Sequence, residues 1–84
     1  MTREAIWLAI LAERQAQAKK WNTHHDWGFG DCSNNQVAPI TKVAVLSEET
    51  GEVARAVLEN NNEQLKIELV QVAAVAVAWL ESLE

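Results

Sequence analysis

The sequence carries three glutamates within five residues, in the run Glu48-Glu49-Thr50-Gly51-Glu52. On a helix, Glu52 would project about 40° from Glu48 and about 60° from Glu49, so the three carboxylates would share one arc. Like charges at these spacings repel by a few tenths of a kcal/mol per pair, a penalty that a bound cation removes. Mg²⁺ prefers oxygen ligands of this kind. The alternative is a solvated helix face without a ligand.

A second candidate pair is Glu68 and Gln71, which lie three residues apart in a segment whose other residues become increasingly apolar. On a helix both side chains would share one face. A glutamate in such surroundings is costly unless it is paired or bound to a metal. Two interpretations stay open: a metal ligand, or a carboxylate at the rim of an interface that is bonded to a lysine or arginine.

Three segments have the composition and spacing of helices, which predicts an all-α chain with a single domain over residues 1–84. The first runs from about Arg3 to Lys20, is rich in good helix formers and has Thr2 as a candidate N-cap. The second begins at Pro39, a residue favoured at the first helical position, and continues to about Glu59. The third runs from about Glu63 to Leu83 after an asparagine turn in which Asn61 or the next residue can cap it.

The third helix contains the apolar run from Val72 to Leu80. Nine residues are too few to span a bilayer, which needs about 20. A helix that is apolar on every side is buried on every side, and three short helices cannot bury it completely. We therefore expect a second chain to cover it, and no membrane contact.

The segment 21–36 is rich in glycine, asparagine and aspartate and is predicted to be a long loop. Three large rings lie in it, at Trp21, Trp27 and Phe29. Long loops in small domains are often functional. Five residues of the loop are of types that bind zinc, but their spacing matches no standard tetrahedral site; they are His24, His25, Asp26, Asp31 and Cys32.

Taken in order, these acidic motifs resemble those of the MazG-like, all-α nucleoside triphosphate pyrophosphohydrolases. That family has E-E-x-x-E on one helix and E-x-x-D on the next, and here Glu48-Glu49-Thr50-Gly51-Glu52 is followed by Glu68-Leu69-Val70-Gln71. Fifteen residues separate Glu52 from Glu68, within the family's range. The resemblance covers about residues 40–83. The chain departs at Gln71, where the family has an aspartate.

The resemblance implies Mg²⁺-dependent cleavage of a (deoxy)nucleoside triphosphate to the monophosphate and pyrophosphate, as house-cleaning of the nucleotide pool. Mn²⁺ is the alternative metal. The metal ligands it implies are Glu49, Glu52, Glu68 and the amide of Gln71, with Glu48 as a further ligand or the base that activates water. Glu48 and Glu49 are thus the candidate catalytic residues. The family also implies a homodimer or homotetramer with an intermolecular four-helix-bundle core.

Three residues are candidates for binding the substrate. Lys42 lies seven residues before Glu49, and Arg55 lies seven after Glu48, so each projects within about 20° of that glutamate and can offer positive charge to phosphates. Simple ion pairs are the alternative. Trp27 is the candidate stacking surface for the base.

Composition excludes several classes of protein. The net charge of −5 argues against binding a nucleic-acid polymer, which needs an excess of lysine and arginine. Cys32 is the only cysteine, so no intrachain disulfide can form, and with no export signal we expect a cytoplasmic protein. The alternative to the enzyme is a helical oligomer that binds a nucleotide or a protein partner without hydrolysis.

Overall fold

The computed structural model describes all 84 residues, which form three helices and one short β-hairpin. The helices are α1 (Arg3–Lys20), α2 (Pro39–Leu58) and α3 (Asn62–Ser82), and the strands are β1 (His24–His25) and β2 (Gly28–Phe29). The mainly helical class and the positions of all three helices are confirmed. The bounds of α1 agree with the prediction, while those of α2 and α3 differ by one residue.

The hairpin is a feature that the sequence did not predict, because the whole segment 21–36 was expected to be a loop. Its strands pair antiparallel, with His24 opposite Phe29 and His25 opposite Gly28, around a two-residue turn at 26–27. Asp-Trp is not one of the dipeptides that favour such turns. Gly28 has a φ of 124°, a conformation open to glycine.

Side-chain caps begin two of the helices, as predicted. The Thr2 hydroxyl accepts a hydrogen bond from the Ala5 N–H at 3.1 Å. The Asn61 side chain accepts one from the Gln64 N–H at 3.0 Å. Each cap satisfies a donor that the helix itself leaves without a partner.

The end of α2 turns the chain back on itself within a few residues. Asn60 adopts a φ of 57°; the Asn60 N–H donates to Val57 O at 3.1 Å, and the Asn61 N–H donates to Ala56 O at 3.0 Å. These two bonds form a Schellman motif with asparagine in the left-handed position. The tight turn starts α3 beside α2, so that the two acidic motifs face one another.

Helix α3 is the centre of the molecule, because it packs against both α1 and α2, which do not contact each other. The buried apolar residues are few and mostly small: Cys32, Val37, Ala56, Ala74, Val75 and Ala78. Large apolar side chains stay exposed on the helices; Trp7 and Leu80, for example, are both 63% exposed. One chain thus covers only part of its apolar surface. No helix combines the length and apolar composition that crossing a bilayer requires.

Arg14 connects α1 to the hairpin segment and to the end of α3. Its Nη1 donates to Asp31 Oδ2 at 2.6 Å, while its Nε and Nη2 donate to the Glu81 carboxylate at 2.8 and 3.0 Å. Asp31 also accepts bonds from the N–H and hydroxyl of Ser33, at 2.9 and 2.6 Å. Burial opposes ionisation of Asp31, but these hydrogen bonds and the Arg14 charge outweigh it and lower the pKa of that carboxyl.

Replacing Arg14 by methionine should lower the free energy of unfolding by about 3 kcal/mol, because Asp31 would stay buried without its cation. Urea denaturation at a fixed protein concentration measures the change. The matched control is Arg3→Met, which removes an exposed arginine from the same helix. Equal decreases in the free energy of unfolding of the two variants would show that the contacts of Arg14 do not stabilise the fold.

Candidate metal and nucleotide site

Two carboxylates and one amide meet where α2 faces α3. Gln71 and Glu68 lie one turn apart on α3, and Glu49 faces them from α2. When the Gln71 amide nitrogen is turned towards the carboxylates, it donates to Glu49 Oε2 at 3.1 Å and to Glu68 Oε2 at 2.9 Å. Rotating the amide by 180° puts its oxygen in that position, so that three oxygens face one point. The group can therefore bridge two carboxylates by hydrogen bonds or complete a set of oxygen ligands.

Glu68 is buried, with 6% of its surface exposed. Its Oε1 accepts a hydrogen bond from Gln64 Nε2 at 2.6 Å, so both of its oxygens are held by amides. Within the single chain no ion pair involves Glu68 or any glutamate of the run 48–52, so the alternative, a carboxylate at an interface bonded to a lysine or arginine, has no partner in the same chain and stays a prediction. A buried carboxylate without a cation is unusual in proteins.

Glu49 is partly buried, and its surroundings change the pKa of its carboxyl. Burial raises its pKa above the ordinary value of 4.5. The negative charges of four neighbours raise it further; these are Glu68, Glu48, Glu52 and Glu13. A cation placed among these groups would relieve both effects.

The other two glutamates of α2 are less engaged. Glu48 is exposed and Glu52 is partly buried. No group of three or more His, Cys, Asp or Glu side chains is placed to share a metal ion, so the single chain brings together Glu49, Glu68 and Gln71 rather than four carboxylates. Beyond its own helix, no group of the chain lies within 4 Å of a Cβ added at Gly51.

A cavity of about 280 Å³ opens beside this cluster. Residues from α1, the hairpin segment, α2 and α3 all line it: Glu13, Ala16, Gln17, Lys20, Trp21, Trp27, Asp31, Cys32, Val45, Glu48, Glu49, Gln71 and Val75. The lining thus combines four carboxylates, Glu13, Asp31, Glu48 and Glu49, with two indoles. This combination suits a ligand with a flat ring and a group that a metal ion can bind.

The two indoles are positioned by a histidine. The His25 ring lies edge-on to Trp27 at 4.1 Å and to Trp21 at 4.9 Å between centroids. His25 Nε2 lies 2.7 Å from the Gly30 carbonyl oxygen, while its Nδ1 is buried without a partner. The predicted stacking residue Trp27 therefore does line the cavity, and its orientation is fixed by contacts within the hairpin segment.

The two predicted phosphate-binding residues do not line the cavity. Lys42 is buried, and its Nζ donates to Ser82 Oγ at 2.7 Å. Arg55 is exposed on α2 and makes no ion pair. In the single chain, a phosphate contact from either residue stays a prediction.

The residues with zinc-binding side chains in the hairpin segment have other roles. Asp31 is bonded to Arg14 and Ser33. Cys32 packs in the core, where burial raises the pKa of its thiol and keeps it protonated.

Sequence reasoning missed the contribution of α1 to the site. Glu13, Gln17 and Lys20 all line the cavity, together with Ala16 and Trp21. Their spacing of three and four residues defines one face of a helix. The same polar stripe is visible in the sequence of α1, at residues 13, 17 and 20.

Comparison with known proteins gives no match to this chain. No protein-family model matches it, and no curated protein or solved structure is significantly similar to it. The resemblance to MazG-like enzymes therefore depends on the acidic motifs alone.

Replacing Glu49 by glutamine should raise the melting temperature at neutral pH by about 2–5 °C, because it removes repulsion from the neighbouring carboxylates. The raised pKa means that the folded state binds a proton more tightly than the unfolded chain. The protonated carboxyl of Glu49 therefore stabilises the folded state. This stabilisation is fully present below about pH 4.5 and is lost as the pH rises through the pKa of Glu49 in the folded state. The gain from Glu49→Gln should therefore disappear below about pH 4.5.

Thermal melts followed by circular dichroism measure this effect, with Glu84→Gln at the exposed C-terminus as the control. That variant removes the same charge far from the cluster. An increase in melting temperature that is the same at neutral pH and below about pH 4.5 would contradict the assignment of repulsion to this site. An equal increase in Glu84→Gln would contradict it as well.

Proposed function

We propose that the protein is a MazG-like, Mg²⁺-dependent nucleoside triphosphate pyrophosphohydrolase that clears unwanted nucleotides from the cytoplasm. The observation that carries this proposal is the pair Glu49 and Glu68, which share the Gln71 amide and have no lysine or arginine partner. Oxygen donors in such a set fit Mg²⁺, or Mn²⁺, better than softer metals. The adjacent cavity offers the space that a nucleotide needs.

Each residue of the cluster then has a role. Glu49, Glu68 and the Gln71 oxygen hold the metal, and Glu52 lies one turn further along α2 to extend the ligand set. When bound, the metal neutralises the triphosphate and orients it for attack. Glu48 lines the cavity and orients or deprotonates the attacking water, while the α–β phosphoanhydride bond breaks and pyrophosphate leaves. Trp27 stacks on the base.

The chain should release pyrophosphate from at least one member of a panel of ribo- and deoxyribonucleoside triphosphates when Mg²⁺ is present. Glu49→Gln and Glu68→Gln should each lower kcat/KM by about 100-fold or more, because each removes a ligand that stabilises developing charge. Glu63→Gln, an exposed position on the same helix as Glu68, is the control. Product identification by chromatography measures the reaction, and failure with every nucleotide and metal concentration would overturn the proposal.

A second candidate function is nucleotide binding without hydrolysis. It is favoured by Gln71, a neutral ligand where the resembled family has an aspartate, and by the absence of three converging carboxylates. Calorimetry would then detect a tight complex with the nucleotide but no product. Gln71→Asp would restore cleavage if the missing charge is the only defect.

We also propose that the protein forms a homodimer or homotetramer, with α3 inside an intermolecular four-helix bundle. The support is the set of large apolar side chains that the single chain leaves exposed on α1 and α3: Ile6, Trp7, Leu8, Leu11, Ile67, Leu69, Val77 and Leu80. Large apolar patches left exposed on a soluble chain commonly mark an interaction surface. A second copy would bury it by the same contacts on both chains.

Analytical ultracentrifugation should therefore give a mass of two or four chains. Leu11→Glu should shift the distribution towards single chains, because it places a charge on the exposed apolar face of α1. Asn22→Glu introduces the same charge at an exposed position outside the helices and should leave the mass unchanged. A wild-type protein that sediments as a single chain would contradict the proposed assembly.

A further inference from the structure

Lys20 is the only basic residue that lines the cavity beside the acidic cluster. It lies on the same face of α1 as Glu13 and Gln17, two turns and one turn earlier. Because a helix rises about 1.5 Å per residue, Lys20 stands about 10 Å further along α1 than Glu13. The ammonium group therefore lies beside the Trp21 indole, well along α1 from the carboxylate of Glu13.

None of the other basic residues is positioned to replace it. Arg14 is fully engaged by two carboxylates, Lys42 donates to Ser82, and Lys66 lies 3.5 Å from Glu63. The remaining three, Arg3, Lys19 and Arg55, do not line the cavity. Lys20 is thus the one positively charged side chain that lines the cavity and can contact a phosphate group bound there.

The ammonium group is held only weakly. Lys20 is exposed, and its Nζ lies 5.1 Å from the centroid of the Trp21 ring. A cation–π contact at an exposed site is weak, whereas a charge-assisted bond from an ammonium to a phosphate is much stronger. Lys20 forms no ion pair with the acids of the cavity wall. Its side chain can leave the ring without breaking a strong interaction.

We infer that Lys20 moves from the Trp21 ring to bind the phosphate groups of the nucleotide, on the opposite side from the metal-binding cluster. This inference rests on the proposed function and adds a residue that determines affinity for the triphosphate. Lys20 touches substrate without reaching the water or the metal, so its removal affects substrate binding more than turnover.

Steady-state kinetics with the fastest nucleotide of the panel test this role. Lys20→Ala should raise KM about tenfold with kcat nearly unchanged, and Lys20→Arg should restore most of the loss. Lys19→Ala removes the adjacent, exposed lysine that does not line the cavity and should match the wild type. Inorganic tripolyphosphate should inhibit Lys20→Ala about tenfold more weakly than the wild type, while the corresponding nucleoside inhibits both equally.

The outcomes separate this inference from the function on which it rests. If the wild type hydrolyses nucleotides and Lys20→Ala behaves as Lys19→Ala, the inference is wrong and the enzyme assignment stands. If Lys20→Ala weakens inhibition by the nucleoside and by tripolyphosphate equally, Lys20 contacts the base or supports the indoles instead, and the inference is again overturned. If no nucleotide is hydrolysed or bound by the wild type, both fail together.

Discussion

The fork of hydrogen bonds from Arg14 is the interaction on which the arrangement of the site depends. Helices α1 and α2 do not pack against each other. Helix α1 is held by its packing against α3, but neither hairpin strand packs against a helix, so the hairpin segment needs an attachment of its own to stay beside the acidic face of α2. Arg14 supplies it by joining α1 to Asp31 and to Glu81 at the end of α3. Asp31 and Trp27 both line the cavity, so the fork also fixes the wall that carries the indoles.

The charge distribution explains why an amide at position 71 is compatible with a folded chain. Glu49 and Glu68 lie within hydrogen-bond distance of the same side chain, and an aspartate there would add a third negative charge without a cation. Glutamine instead donates to both carboxylates. Under the proposed function, rotation of the amide would present an oxygen to a cation at this position. Glutamine would then bind the metal less strongly than aspartate but favour the fold when no metal is bound.

Local sequence determines much of this fold, and local patterns were sufficient to predict the helices. The caps at Thr2 and Asn61, Pro39 at the start of α2 and the helix-forming composition located the three helices almost to the residue. The carboxylate arc on α2 and the Glu68–Gln71 pair followed from helical spacing. These features depend on neighbours within four residues, which is the range over which sequence patterns are informative.

Features that depend on distant pairs were not predictable in this way. The Arg14 fork joins residues 17 and 67 positions apart, and nothing in the local pattern indicates that α1 and the hairpin segment would meet. Helical spacing predicts the direction of Lys42 relative to Glu49, but a direction does not reveal which neighbour the ammonium group reaches. Its hydrogen bond to Ser82 arises from the antiparallel return of α3.

Three of the four tryptophans lie in two different environments, and this division has a practical consequence. Trp21 and Trp27 face the cavity, whereas Trp7 lies exposed on the apolar side of α1. In the proposed complex, ligand entry would change the surroundings of the first pair, and in the proposed assembly self-association would change those of Trp7. In a protein without Trp79, intrinsic fluorescence would therefore report the two events separately: removing Trp7 would leave emission that reports occupancy of the cavity, and removing the cavity indoles would leave emission that reports association.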